Sequence, residues 1–156
     1  MPVKKITKKF NYSRKDLIEL VLKIDDYKFF LPWCINSKIL TIDKNKGDLK
    51  IIADLDIGFK SFREIYTSEV IYNNQNSKIV VTSICGNIKK LINIWEFEEI
   101  DKKSCNVLFF IDIELKNPII NILFSKFFNY GFEKILNSFE QRAKETIKFY
   151  YDFLII

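Results

Sequence analysis

Apolar residues recur along this chain first with period two, then with a helical period, then with period two again, and last with a long helical period. Each change marks the edge of an element. Val3 to Tyr12 reads as a strand. Ser13 then offers an N-cap with Asp16 three residues later, a variant of the capping box, and a helix is predicted from Arg14. Leu17, Leu20, Val21 and Ile24 fall at i, i+3, i+4 and i+7 and form one buried stripe, which Asp25-Asp26 interrupts. A second short helical turn, about Tyr27 to Leu31, stops at Pro32.

From Ile35 to Leu115 the period is two. Turn signals at Asn45-Lys46-Gly47, Gly58, Asn73 to Ser77, Gly86-Asn87 and Asp101 to Ser104 delimit six strands. The last is the clearest: Cys105, Val107, Phe109, Ile111, Ile113 and Leu115 share one face, with Asn106, Asp112, Glu114 and Lys116 on the other. The connections are too short for helical crossovers, so the strands form an antiparallel meander.

Asn117-Pro118 is an N-cap followed by the residue best suited to a first helical position, opening a long helix from Ile119 to about Tyr150. Its second half is amphipathic, with Phe128, Phe132, Ile135, Phe139, Ala143, Ile147 and Tyr150 on one side. Its first half is apolar nearly all round. Ile119, Ile120, Ile122, Leu123, Phe124, Phe127 and Phe128 cannot all face one sheet, so part of that surface is expected to meet a ligand, a partner or a membrane.

These elements predict one α+β domain over residues 1–156: a curved antiparallel sheet of about seven strands around a long C-terminal helix, with two short helices after the first strand. A strongly curved sheet stands away from the helix, and that gap is the candidate pocket. Fifteen Phe, seven Tyr and two Trp supply more planar apolar surface than a small core commonly needs, which fits a lined cavity.

The net charge of +5 comes from scattered lysines, with Arg14, Arg63 and Arg142 the only arginines. Nucleic-acid recognition favours clustered guanidinium forks, so direct DNA binding is not expected, and the charge implies at most a mild attraction to anionic headgroups. Cys34, Cys85 and Cys105 are odd in number and lack the spacing of a zinc or redox pair. A reducing cytosolic compartment fits. The chain has no histidine, which removes histidine triads, histidine metal ligation and the usual near-neutral base. Residues 1–5 show no signal-peptide or transit-peptide character, and the apolar run from Ile119 to Phe132 falls short of the ~18 to 20 residues a spanning helix needs.

Specific residues carry a family resemblance. Tyr12-Ser13, Leu20-Val21, Tyr27 and Phe30-Leu31-Pro32-Trp33-Cys34 resemble the opening signature of the coenzyme Q-binding proteins and the related ribosome-association toxins. Gly58-Phe59-Lys60, Arg63-Glu64 and Tyr66-Thr67-Ser68 resemble their central strands, as do Leu91, Trp95 and Phe97 the next, and the match continues through Phe110 to Leu115 and Phe139 to Ala143. The element order is similar to the helix-grip fold of the START superfamily. Trp33 leans toward the quinone-binding branch, since the toxin branch often has Gly there. The chain departs at Gly86-Asn87-Ile88-Lys89, where the family usually carries Gly-Pro-Phe-Lys.

The resemblance implies a non-enzymatic protein, without cofactor or metal, that holds a polyprenyl quinone such as ubiquinone in support of respiratory electron transport. Its expected setting is the cytoplasm, with peripheral association to the inner membrane or a respiratory complex. The alternatives are a ribosome-associated regulator of translation and a polyketide cyclase-like enzyme, the last disfavoured by the missing histidine. Candidate ligand-binding residues are Tyr27, Phe30, Leu31, Trp33, Phe59, Tyr66, Asn93, Trp95, Phe97, Phe109, Phe124 and Phe128. Phe30 to Cys34 reads equally well as a pocket mouth or as a loop sealing the core. Asn93 shares the Trp95 face and must find partners, either a ligand carbonyl or the protein's own backbone and water. Glu64, on the Tyr66 face, is expected to pair with Arg63 or a lysine, and Asp54, Asp56, Asp112 and Glu114 to face solvent.

Overall fold

A computed structural model of the chain describes the backbone of residues 3–59 and 62–155, and the side chains of those residues as far as 147. Strand β1 (Val3–Phe10) is followed by α1 (Arg14–Leu22), a 3₁₀ turn (Ile24–Asp26) and α2 (Tyr27–Phe30). The meander follows as β2 (Cys34–Asn45), β3 (Asp48–Phe59), β4 (Phe62–Asn73), β5 (Lys78–Gly86), β6 (Ile88–Asp101) and β7 (Ser104–Leu115), and α3 (Pro118–Ile155) completes the chain. The seven strands lie in the order β1-β7-β6-β5-β4-β3-β2 and every neighbouring pair is antiparallel. The chain therefore leaves β1 at one edge and re-enters at the other, carried across by the short helices.

Local chemistry sets the ends of the helices. Ser13 Oγ accepts from Asp16 N at 3.1 Å, and the chain bends at Asn11-Tyr12 to reach that cap, so β1 ends at Phe10 rather than Tyr12. The α2 turn likewise stops a residue early because Pro32 holds Leu31 extended, at φ −76° and ψ 133°. Asn117 Oδ1 accepts from the amides of Ile119 and Ile120 at 3.0 and 3.2 Å, which opens α3 at Pro118. The helix runs past Tyr150, whose side chain lies outside the described residues.

Phe128, Phe132, Leu136, Phe139 and Ala143 recur every three or four residues along α3 and are all buried against the concave face of the sheet. Sheet curvature has visible sources. Register shifts fall in β2 between Cys34 and Asn36 and between Ile39 and Thr41, and in the β4–β5 pair at Thr67–Ser68. In addition, β5 pairs with β6 only as far as Thr82–Ile92, after which the end of β5 follows β4 while the start of β6 follows β7. The sheet thus bends away from the first half of α3.

Candidate functional site

Where the sheet bends away, a cavity of about 230 Å³ remains between α3 and the concave face. Its walls are apolar and aromatic. Val21, Ile24, Tyr27 and Leu31 come from the short helices, Leu55, Ile57, Tyr66 and Val70 from the central strands, and Leu91, Trp95, Phe109 and Ile113 from β6 and β7. The helix contributes Phe124, Phe127, Phe128, Phe132 and Ile135.

Most polar atoms on these walls are already engaged. Asn93 Nδ2 donates to the Phe110 carbonyl at 2.9 Å, and its Oδ1 accepts from Trp95 Nε1 at 2.8 Å. Tyr27 Oη donates to the Val21 carbonyl, and Ser68 Oγ to the Ala53 carbonyl at 3.4 Å. Among the described residues Tyr66 Oη has no hydrogen-bond partner. Burial raises the pKa of Tyr27 and of Tyr66 well above the ordinary phenol value, and it pushes the Cys34 thiol up to about 11. Every titratable group lining the cavity among the described residues is consequently neutral at pH 7. Among the described residues the lining holds no carboxylate, lysine or arginine.

An aromatic arc closes one side. The Trp33 indole stands edge-on to Phe59 at 5.6 Å, and Phe59 meets Phe127 at 5.6 Å, so the α2–β2 loop, the end of β3 and the helix touch through three rings. Phe127 lines the cavity yet is 40% exposed, which places this arc at the mouth. Trp33 itself has φ 64°, a left-handed conformation that costs a non-glycine residue about 1–2 kcal/mol. Packing holds it there: its carbonyl accepts from Gly58 N at 2.8 Å, and its ring lies over Gly131 of α3.

A curved sheet gripping a helix around an apolar cavity agrees with what known proteins show. Residues 11–140 match the family described as polyketide cyclase / dehydrase and lipid transport. The chain belongs to that family.

Within its relatives, the mitochondrial coenzyme Q-binding protein COQ10 of Dictyostelium discoideum is 29% identical over 147 residues, covering 91% of this chain and 69% of that one. The ribosome association toxin RatA of Rickettsia prowazekii is 32% identical over 145 residues, covering 91% of this chain and 96% of the toxin. Among solved structures, a START superfamily protein from Mycobacterium smegmatis superposes with a TM-score of 0.76 at 17% identity over 92% of this chain and 97% of that one, which speaks to the fold.

Against this family background, Tyr27, Leu31, Trp33, Phe59, Tyr66, Asn93, Trp95, Phe109, Phe124 and Phe128 line the cavity, whereas Phe30 and Phe97 do not. Phe30 is turned onto Phe139 and Tyr27, edge-on at 5.2 and 5.9 Å, with the Arg142 guanidinium 5.4 Å from its ring centre. Phe97 is 4% exposed and stacks beside Trp95 beyond the cavity wall, where the second half of α3 closes on the sheet. Asn93 satisfies itself within the protein. Its free alternative, a ligand carbonyl, is not needed to explain its burial. Glu64 corrects another expectation: it accepts from Asn87 Nδ2 at 3.1 Å, while Arg63 pairs with Asp56 at 2.6 Å.

The departure at Gly86 to Lys89 is accommodated. Ile88 occupies a buried position, and the Asn87 carbonyl accepts from Lys116 N at 3.1 Å, tying this turn to the start of α3. The other carboxylates expected to face solvent lie on the convex side, Asp54 bonded to Thr67, Asp112 paired with Lys90 and Glu114 with Lys89. Asp112 is nonetheless buried rather than solvated: its Oδ2 meets Lys90, while its Oδ1 has no hydrogen-bond partner among the described residues.

Among the lining residues that periodicity did not single out for the pocket are the strand aliphatics Leu55, Ile57, Val70, Val81 and Leu91. Each sits on the inward face of its strand and has the pattern of core; only sheet curvature distinguishes lining from core. On α3, Ile120, Phe124 and Phe128 turn inward, while Ile119, Ile122, Leu123, Phe127 and Tyr130 are exposed by 40 to 70%. No helix among the described residues is long and apolar enough to cross a membrane.

Proposed function

We propose that this protein binds a polyprenyl quinone in the α3–sheet cavity and performs no catalysis of its own. The observation that carries the reading is the cavity's lining: apolar, aromatic and neutral, with no acid–base pair among the described residues. The relation to a coenzyme Q-binding protein and to a family whose description includes lipid transport supports the same ligand class.

Cavity size sharpens the proposal. At about 230 Å³ it exceeds the roughly 150 Å³ that suffices for benzene in an apolar protein interior, so a substituted ring and its first tail carbons fit, but a long tail does not. The rest of the tail leaves past Trp33, Phe59 and Phe127 and lies along the exposed apolar side of α3. Each apolar carbon removed from water contributes about 0.8 kcal/mol, so one or two sheltered isoprene units raise affinity substantially before association costs are met.

The same exposed helix face is proposed to rest on an anionic lipid surface, where such a ligand is exchanged. Lys126 and Lys134 flank it, and Lys134 Nζ lies over the rings of Trp33 and Tyr130 at 5.7 and 5.6 Å.

Organic extraction of freshly purified protein followed by mass spectrometry tests the reading. A co-purifying isoprenoid quinone in near-stoichiometric amount is expected; protein that carries no lipid and takes up no added quinone overturns it. The kinship with a ribosome association toxin, of which the chain covers 96%, favours a second reading: association with the ribosome through a basic surface. Salt-sensitive cosedimentation of this protein with ribosomes, unchanged by mutations that fill the cavity, is the result that selects it.

A further inference from the structure

The cavity's polar atoms are so thoroughly engaged that the exception stands out. We infer that Tyr66 Oη is the donor that fixes the polar end of the ligand, so the molecule held here carries an accepting oxygen, of ketone or quinone type, on an otherwise apolar body.

A hydroxyl withdrawn from water without a partner costs free energy, which is why such groups in folded proteins are nearly always bonded. Tyr27, Ser68, Asn93 and Trp95 on the same walls obey that rule through Val21, Ala53, Phe110 and one another. Tyr66 has no such protein partner among the described residues; its side chain is half-buried on the cavity wall, so its hydroxyl is left to the cavity, and a ligand that displaces water there has to replace that hydrogen bond. Because burial keeps the phenol protonated, it is available as a donor throughout the physiological range.

The backbone places Tyr66 with some care. It pairs with Leu55 of β3 on one side and Gly86 of β5 on the other, one step from the register shift at Thr67–Ser68. Gly86 has φ 114°, and a Cβ there would fall 2.9 Å from Tyr66 Cα and Cβ, so only glycine allows β5 to approach this closely. The Tyr66 side chain lies on the inner face, where Tyr27 and Cys34 line the same cavity. An oxygen atom delivered to this corner meets one committed phenol, one neutral thiol and one free donor.

This inference rests on the pocket reading above, and the experiment separates the two. Duroquinone and durene share a tetramethylbenzene skeleton and differ in the two carbonyl oxygens, so calorimetric titration of both into wild type and Tyr66→Phe isolates the hydrogen bond. Wild type is expected to prefer duroquinone, and Tyr66→Phe to lose roughly two- to tenfold in duroquinone affinity while durene affinity stays unchanged. Tyr66→Phe is also expected to melt at about the temperature of empty wild type, since it breaks no hydrogen bond within the protein. Equal duroquinone affinity in wild type and variant, or a variant of clearly lower melting temperature, overturns the role of Tyr66 while leaving the pocket reading in place. Binding of neither compound by wild type overturns both.

Discussion

A Cβ on residue 131 would lie 3.0 Å from Cη2 of the Trp33 indole, so Gly131 of α3 is the seat into which that ring is pressed. Gly131→Ala removes a mid-helix glycine, a gain of about 1 kcal/mol, but forces the indole outward. We expect unfolding free energy within about 1 kcal/mol of wild type and a red-shifted Trp33 emission, with Gly131→Leu expelling the ring altogether. Trp95, 4% exposed, provides the constant background in fluorescence. Several kcal/mol lost on Gly131→Ala with unchanged emission would show that the indole cannot yield.

Phe97 and Phe124 separate core from lining. Phe97→Ala empties a close-packed position and should cost about 3–5 kcal/mol in chemical denaturation, whereas Phe124→Ala borders space that already exists and should cost less. Retention of bound lipid is expected to change with Phe124→Ala. Equal stability losses for the two would mean the cavity is collapsed in solution.

Asn93 links the β7 backbone to the Trp95 indole. Asn93→Ala leaves the indole N–H and the Phe110 carbonyl without this partner and is expected to destabilise by about 1–3 kcal/mol. Trp95→Phe removes one of those orphans, so the double variant should be less than additive in a thermal or denaturant cycle. Strict additivity would remove Asn93 from this bridging role.

Alkaline stability follows from the thiols. Burial raises Cys34 and Cys105 from an ordinary 9.0 to about 11 in the folded state. Below pH 9 folded and unfolded chains both keep these protons; between about 9 and 11 the unfolded chain releases them first, so stability falls across that window. Exposed Cys85 is expected to alkylate at pH 8 much faster than half-buried Cys34 or buried Cys105, read by peptide mass spectrometry. Flat stability from pH 9 to 11 would contradict the shifts.

The outer face of α3 can be altered without touching the core. Ile119, Ile122 and Leu123 are 70, 60 and 48% exposed, so Ile119→Ser, Ile122→Ser and Leu123→Ser together should change the melting temperature little. Sedimentation with phosphatidylglycerol-containing vesicles is expected to drop severalfold if this face meets lipid, and to stay unchanged if it does not.

Much of this protein is written in local pattern. The period of two from Ile35 to Leu115, the Ser13 and Asn117 caps, and the stop imposed by Pro32 depend on neighbours a few residues apart, and they determine the strands, the helices and the antiparallel meander. The inward side of each strand and the apolar excess on the first half of α3 are legible for the same reason. Which inward residues line a cavity and which close-pack is another matter, because that depends on how far the sheet bends from the helix. Trp95 and Phe97 occupy equivalent places in one alternating run, yet the curvature leaves space at the first and none at the second. The satisfaction of Asn93 by Phe110 and Trp95, the seating of Trp33 over Gly131, and the uncommitted hydroxyl of Tyr66 likewise arise from residues on different elements. Hydrogen bonds and van der Waals contacts act over a few ångströms, and only the folded chain brings these groups within that reach.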